Sequence, residues 1–370
     1  MSQIAAIGIS FRDVPSAVRA RAALPLEEDI LRQLRQQGLS GVVAVHTCAR
    51  SLWLVSAENA EWTASLLQTM VARRLNAGQG PVLPHLWTGR LALHYALRVS
   101  VGLDSHVQGE ADIGRQVSSA FAQAHAEGTS DGPLHLLQQS VHRLLTRGRS
   151  LGFIRPNRGL GQLAVEALDR AGLPHQATVG VIGTGAIGRR VMASLQRAGR
   201  PYVPFNRSES ANSLPLTSLP EHRLDAMVVC TAGPEGWLRP PPGPLVVDLG
   251  LPAQVSPEIP SLGLDQLLQG DTLRLPPERV ELAEQVVDQE LEVLLLRLTA
   301  SAQQRRLSRL NEARDRFLEQ SLPELLAPTL GGLPEEDRRR VQAAVKGLLR
   351  QYSHSLLTTL KEDFSQMENP

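Results

Sequence analysis

Lysine is almost absent from this chain. Lys346 and Lys361 stand alone among 38 basic residues, so arginine carries nearly all the positive charge. A guanidinium suits forked recognition of phosphate or carboxylate. Neither sign of charge dominates: 38 basic residues face 37 acidic ones, and the formal net charge is +1. That balance excludes the global basic field of a general nucleic-acid binder, so any RNA contact has to come from a local patch. Cysteine is limited to Cys48 and Cys230, too few for a disulfide framework, and a reducing compartment follows. No apolar run reaches the ~18 residues of a membrane span. The first residues have no basic stretch ahead of their apolar one and read as a strand. A cytoplasmic protein with no membrane partner is expected. Aromatics make up only 4%, which leaves Leu, Val, Ala and Ile to build the core. At 370 residues the chain is long for one domain and suggests two or three.

Three regions separate by pattern, at 1–150, 151–270 and 271–370. In the first, short apolar runs at Gln3–Ser10, Gly41–Val45 and Trp53–Val55 read as strands. Thr47–Arg50 then falls in a turn at a strand end, where function often sits. From Leu91 to about Ser150 the spacing is helical, with breaks at Gly102–Asp104 and Gly128–Pro133. The second region alternates strand and helix. Ala177–Ile182, Tyr202–Phe205, Asp225–Thr231 and Leu245–Leu249 are strand candidates, and the alternation predicts a parallel, doubly wound sheet. The third begins near Pro276-Pro277. From Glu278 to about Gln320 it lacks both Gly and Pro, which predicts one helix of ~40 residues, about 60 Å long. One domain cannot easily bury that length, so the helix should run between domains or into a partner chain; a folded-back hairpin is the alternative.

Gly183-Thr184-Gly185-Ala186-Ile187-Gly188 is a GxGxxG sequence between a predicted strand and a predicted helix, the context that a dinucleotide loop requires. The first Gly permits the turn, the second lets backbone approach a pyrophosphate, and the third lets helix pack on strand. Asn206-Arg207-Ser208 follows at the end of the next strand. It holds no carboxylate to repel a ribose 2′-phosphate, and Arg207 can pair with one, so NADPH is expected over NADH. Cys48 sits in Val45-His46-Thr47-Cys48-Ala49-Arg50. Arg50, and His46 if charged, would favour a thiolate there; a buried small hydrophobe is the plainer reading. Cys230, inside an apolar run, reads as core. A polar cluster spans Gly102 to Glu110, with Gln116 beyond it. It is either an inter-helix loop or part of a pocket. No metal is expected.

Taken in order, these segments resemble the glutamyl-tRNA reductase family. Thr47-Cys48-Ala49-Arg50 stands where the family has Thr-Cys-Asn-Arg. Gly102-Leu103-Asp104-Ser105 with Gly109-Glu110 matches its Gly-Leu-Asp-Ser segment ending in Gly-Glu. Gln116, the Gly183–Gly188 loop, Asn206-Arg207, Asp248, Pro252 and the Leu333–Arg338 helix start follow in register. The resemblance covers nearly the whole chain. It implies a mixed α+β catalytic domain, a Rossmann-type NADP-binding domain and a long C-terminal helix with a helical dimerisation domain, hence a homodimer. It implies an NADP-dependent oxidoreductase. Cys48 attacks the ester of glutamyl-tRNA(Glu), and NADPH reduces the resulting thioester to glutamate-1-semialdehyde, the first step of the five-carbon route to 5-aminolevulinate and tetrapyrroles. Arg50 is implied for the glutamate carboxylate, and Thr47, Ser105, Glu110 and Gln116 for orienting substrate, with Glu110 facing its ammonium. Ala49, Ala111 and Asp112 fall at substrate-contacting positions, and Gly183–Gly188 with Asn206, Arg207 and Ser208 at cofactor positions. A docking aminomutase is implied as a further partner.

The chain also departs from the family pattern. Ala49 replaces Asn, Ser51-Leu52 replaces Thr-Glu, and Ala111-Asp112 replaces Pro-Gln. Counting back from Arg98-Val99, the family's activity-supporting His falls on Tyr95, with His94 one residue earlier. One residue on a helix is a rotation of about 100°. His94 therefore enters the site only through a local irregularity; otherwise Tyr95 or His46 takes its place. The competing readings are a catalytically weak paralogue with a binding or regulatory role, and an NADP-dependent dehydrogenase of shikimate-dehydrogenase type. The second leaves the Cys48 segment and the long helix without a purpose.

Overall fold

The structure is a computed structural model that describes residues 4–22, 26, 28–47, 49–75, 82–105, 107–155, 159–207, 212–268 and 274–367, the side chains of 360–367 excepted. Cys48 and Ser208 lie outside the described residues. The chain forms two compact units, Met1–Leu295 and Leu296–Pro370.

The first unit opens with β1 (Ile4–Ser10), α1 (Ser16–Ala22), α2 (Glu28–Gln36), β2 (Leu39–His46), β3 (Arg50–Ala57), α3 (Ala60–Leu75) and β4 (His85–Thr88). These strands make an antiparallel sheet in the order β2-β3-β1-β4, with Ile7 opposite Trp53 on β3 and Leu86 on β4. Every residue of β1 and β3 is buried, because the sheet is covered on both faces. Ala5, Ile7, Ile9, Trp53 and Val55 share a core with Leu67 and Val71 of α3. The helices α4 (Gly89–Ser100), α5 (Ala111–Ala126) and α6 (Gly132–Ser150) also contact the sheet. Two-sided burial explains why the strands read as apolar runs rather than as alternation. The predicted break at Gly128–Pro133 is where Asp131 caps α6 through Leu134 N–H, at 3.2 Å.

The second half of this unit runs α7 (Leu160–Arg170), β5 (Val179–Ile182), α8 (Ala186–Arg197), β6 (Tyr202–Asn206), β7 (Leu214–Pro215), β8 (Ala226–Val229), β9 (Leu245–Asp248), β10 (Leu262–Gly263) and α9 (Leu264–Leu268). Its six strands lie in the order β10-β9-β8-β5-β6-β7, all pairs parallel. Counted from β5, that is the 3-2-1-4-5-6 order of doubly wound nucleotide-binding sheets, whose ligands sit beyond the carboxyl ends of the strands where the order reverses. Here the reversal falls between β5 and β8. The fold is thus mixed α/β, with an antiparallel sheet, a parallel sheet and a long C-terminal helix.

That helix is α10 (Pro277–Arg316), 40 residues, and it is continuous, so the hairpin alternative falls. Its amino-terminal part belongs to the first unit, where it buries Ala283, Val287, Leu291 and Leu294 and also makes ion pairs. Arg90, His94 and Arg98, one stripe of α4 at four-residue spacing, meet Glu292, Asp288 and Glu284 of α10 in antiparallel order. Beside them Glu290, 3% exposed, accepts from Arg143 of α6. In the second unit a π turn at Phe317–Ser321 leads to α11 (Leu322–Leu330) and α12 (Glu335–Met367).

Candidate functional site

Two loops that the sequence singled out face one cavity. It has a volume of about 600 Å³ and is lined by His46, Thr47, Gln116, the Gly183–Ile187 loop, Asn206, Arg207, Cys230, Thr231, Ala232, Leu249, Gly250 and Leu251. The antiparallel sheet contributes the end of β2, α5 contributes Gln116, and the carboxyl ends of β5, β6, β8 and β9 supply the opposite wall. Three buried polar atoms on these walls have no hydrogen-bond partner: His46 Nδ1, Gln116 Oε1 and Thr231 Oγ1. Buried polar groups are normally satisfied, so three in one cavity mark a place where a polar ligand completes the bonding.

The turn between β2 and β3 is held by its own backbone. Thr47 N–H donates to Arg50 O at 2.9 Å. Thr47 Oγ1 accepts from the N–H groups of Ala49 and Arg50 at 3.2 and 3.1 Å. Phe11 N–H donates to Ala49 O at 2.8 Å. Thr47 thereby fixes the turn on either side of residue 48. Burial and, less strongly, the Arg74 charge lower the His46 imidazole to about pKa 4. The ring is neutral at pH 7, so of the two groups that the sequence offered to favour a thiolate, His46 brings no positive charge to the turn.

The glycine-rich loop fits a dinucleotide. Gly183 sits at φ +104°. A Cβ on Gly188 would lie 1.8 Å from Gly183 O, so only glycine lets α8 pack there. A Cβ on Gly185 would meet nothing within 4 Å. Gly185 caps α8, so the open space lies at the helix N-terminus, where free N–H groups and the helix dipole favour phosphate. Arg207 and Asn206 line the same cavity beside Thr184. The residues present thus suit an NADPH-class ligand.

The remaining sequence candidates divide. Arg50 is 2% exposed. Its Nη1 donates to Asp104 Oδ2 at 2.7 Å and to the Tyr95 hydroxyl at 3.0 Å, and its Nη2 donates to Asp104 O. Burial raises the Asp104 carboxyl, but Arg50 and Arg12 together hold it below its ordinary value. The guanidinium assigned to a substrate carboxylate is therefore neutralised by an internal one. Tyr95 stacks on Trp87 with centroids 4.0 Å apart, and burial foremost raises its phenol to about pKa 12. His94 does not reach this cluster. The α4 helix is regular, and the 100° step turns His94 to Asp288 of α10, Nε2 to Oδ1 3.3 Å. Tyr95 takes the inward position.

Glu110 is also apart from the main cavity. It caps α5 and lies against Gly159, where an added Cβ would come within 2.4 Å of Glu110 Oε1. Burial foremost, with the Asp112 charge, raises it to about pKa 8. Ala111 and Asp112 line a second, smaller cavity of about 110 Å³ with Arg190 and Arg197, and Asp112 pairs with Arg190 of α8 and Arg115. Of the pair Glu110 and Gln116, only Gln116 reaches the large cavity. Ala49 is buried, and Ser105 is half-buried in the loop that carries Asp104. Sequence reading missed the pairing of Asp104 with Arg50, because 54 residues separate them. It missed Thr231 and Leu249–Leu251 because strand-end residues of a parallel sheet carry no motif of their own. Cys230, expected in the core, is half-buried on the cavity wall. Burial and Asp248 push its thiol up, so it stays protonated.

Comparison with known proteins agrees with this geometry. Residues 7–150 match the family model described as Glutamyl-tRNAGlu reductase, N-terminal domain. The protein called Glutamyl-tRNA reductase 2 from Nocardioides is 31% identical over 346 residues, which cover 80% of this chain and 72% of that one. Glutamyl-tRNA reductase from Salinispora arenicola is 29% identical, covering 72% of this chain and 66% of its own length. Among solved structures, Glutamyl-tRNA Reductase from Methanopyrus kandleri aligns over 98% of both chains at 22% identity and a TM-score of 0.48, a level that bears on neither mechanism nor detail. The match to the Nocardioides protein, in identity and in span, places this chain in the glutamyl-tRNA reductase family.

Proposed function

We propose that the protein reduces glutamyl-tRNA(Glu) to glutamate-1-semialdehyde with NADPH, through a thioester on Cys48. The observation that carries the reading is the single cavity shared by Thr47, the neighbour of Cys48, and the Gly183–Ile187 loop, with three unpartnered polar atoms on its walls. The Cys48 sulfur adds to the ester carbonyl carbon. A C–S bond forms, the C–O bond to the ribose breaks, and the tRNA leaves with a proton. NADPH, when bound, supplies the hydride that converts the thioester to the aldehyde and releases the thiolate. Thr47 holds the turn on either side of residue 48 through its bonds to Ala49 and Arg50. Gln116 and Thr231 offer hydrogen bonds to the polar parts of the two ligands. His46, neutral at working pH, leaves its Nδ1 free on the cavity wall for a hydrogen bond to a polar ligand atom.

The homodimer is assigned to the Leu296–Pro370 unit. It leaves Leu310, Phe317, Leu325, Leu348, Tyr352 and Leu356 exposed, and no described residue of α12 is buried. A helix that long with no fully buried described residue is suited to a second copy. No helix among the described residues is long and apolar enough to cross a membrane.

A second reading has its own support. Arg50 is bound to Asp104, Glu110 is buried against Gly159 and His94 is turned to α10, which suits a paralogue that keeps the dinucleotide site and binds rather than reduces. Single-turnover reduction of charged glutamyl-tRNA with NADPH separates the two. Aldehyde from the intact protein that vanishes in Cys48→Ser is the expected result. No aldehyde from either, with NADPH still bound, moves the assignment to the binding paralogue.

A further inference from the structure

Arg207, the residue read above as the partner of a 2′-phosphate, does not stand free in solvent. Its guanidinium lies over the indole of Trp237, 4.9 Å from the ring centroid, and its Nη2 donates to Ala232 O. Trp237 is itself wedged. Its ring packs on the cluster that contains Phe205, Leu238 and Val255, and its Nε1 donates to Gln254 Oε1 at 2.8 Å. Gln254 is wholly buried. Its Nε2 donates to Pro252 O at 2.7 Å and Gly233 O at 3.2 Å, and its backbone N–H donates to Asp248 Oδ2 at 2.7 Å. Gly233 lies where these groups converge: an added Cβ would come within 2.7 Å of both Arg207 Nη2 and Trp237 Nε1. A chain of contacts therefore runs from the buried Asp248 on β9 through Gln254 and Trp237 to Arg207 at the cavity rim. Trp237 is absent from the cavity lining, whereas Arg207 is part of it.

We propose that Trp237 is a positioning residue for 2′-phosphate recognition: it holds the Arg207 guanidinium over its ring at the dinucleotide cavity, and so sets the preference for the phosphorylated cofactor. An unsupported arginine loses rotamer freedom on binding a phosphate, whereas a guanidinium already stacked on a ring has lost it beforehand. The indole takes one face and Ala232 O takes one N–H; the remaining donors stay available to a phosphate. The inference rests on the reading of Arg207 as the 2′-phosphate partner.

The test is calorimetric titration of the full-length protein with 2′,5′-ADP and 5′-AMP, which differ by that phosphate, and with NADPH and NADH. The intact protein should prefer the phosphorylated member of each pair. Trp237→Leu should weaken 2′,5′-ADP and NADPH about three- to ten-fold, the range of a stacked cation–π contact, and leave 5′-AMP and NADH unchanged. Trp237→Phe, which keeps a ring face, should restore most of the preference. Adding Trp237→Leu to Arg207→Met should cost nothing further, because the two act through one contact. Equal weakening of all four ligands would mean a merely structural ring and would overturn the inference, as would an unchanged preference in Trp237→Leu. If the intact protein itself binds the paired ligands equally, the reading of Arg207 fails and takes the role of Trp237 with it.

Discussion

Glu110 is a carboxyl group that the fold keeps protonated. Burial raises it from an ordinary 4.5 to about 8, so at pH 7 it is neutral and can donate a hydrogen bond. The sign of the linkage follows. Between pH 4.5 and 8 the folded chain holds a proton that the unfolded chain has lost, so this group makes stability fall as pH rises through that window, and the loss is complete above the folded value. Glu110→Gln, which imitates the protonated form, should match the parent near pH 4.5 and be more stable by about 2–4 kcal/mol near pH 9. Urea denaturation of both proteins at the two pH values checks this; a parent stability that is flat across the window would show that Glu110 titrates normally. This behaviour was not legible in the sequence. There Glu110 looked like one more acceptor beside Gln116, and the approach of Gly159, 49 residues on, helps to bury it.

At the scale of elements, α4 and α10 are joined by a ladder whose rungs are charged, and exposed rungs contribute little each because water screens them. The pair of Arg143 with Glu290 is different, because the carboxylate is 3% exposed. Arg143→Met leaves that charge buried without its partner and should cost roughly 2–3 kcal/mol, whereas changing both residues to apolar ones should recover much of the loss. Thermal unfolding of the single and double variants checks the order; a single variant as stable as the parent would mean that Glu290 finds water. The long helix itself was plain from the absence of Gly and Pro over forty positions. So were the doubly wound sheet and the glycine loop, because local periodicity and backbone freedom write them directly. His94 was the ambiguous case. The helix period fixed a rotation of 100° between it and Tyr95, but which of the two faced inward depended on α10, almost two hundred residues later in the chain.

For the whole molecule, ion pairs help to join the two halves of the first unit. Asp265 of α9 accepts from Ser16 N–H at 2.9 Å and from Arg19 at 3.0 Å, and Asp112 of α5 pairs with Arg190 of α8. Val107 packs in the core beside the parallel sheet, so packing shares with these two ion pairs in setting how far the Thr47 turn and the glycine loop stand apart. Both are carboxylate–guanidinium contacts, so the aperture of the cleft is a property of the medium as well as of the fold. In about 1 M salt, where charges are screened within about 3 Å, amide exchange at Thr47, Gly183 and Gly185 should quicken relative to dilute buffer. Exchange in the strands β1 and β5, which carry no such tie, should not change, and equal rates throughout would mean that packing alone sets the opening. Under the proposed function, which takes first a tRNA ester and then a dinucleotide, walls held partly by contacts that ions loosen would let one cleft admit ligands of unequal bulk.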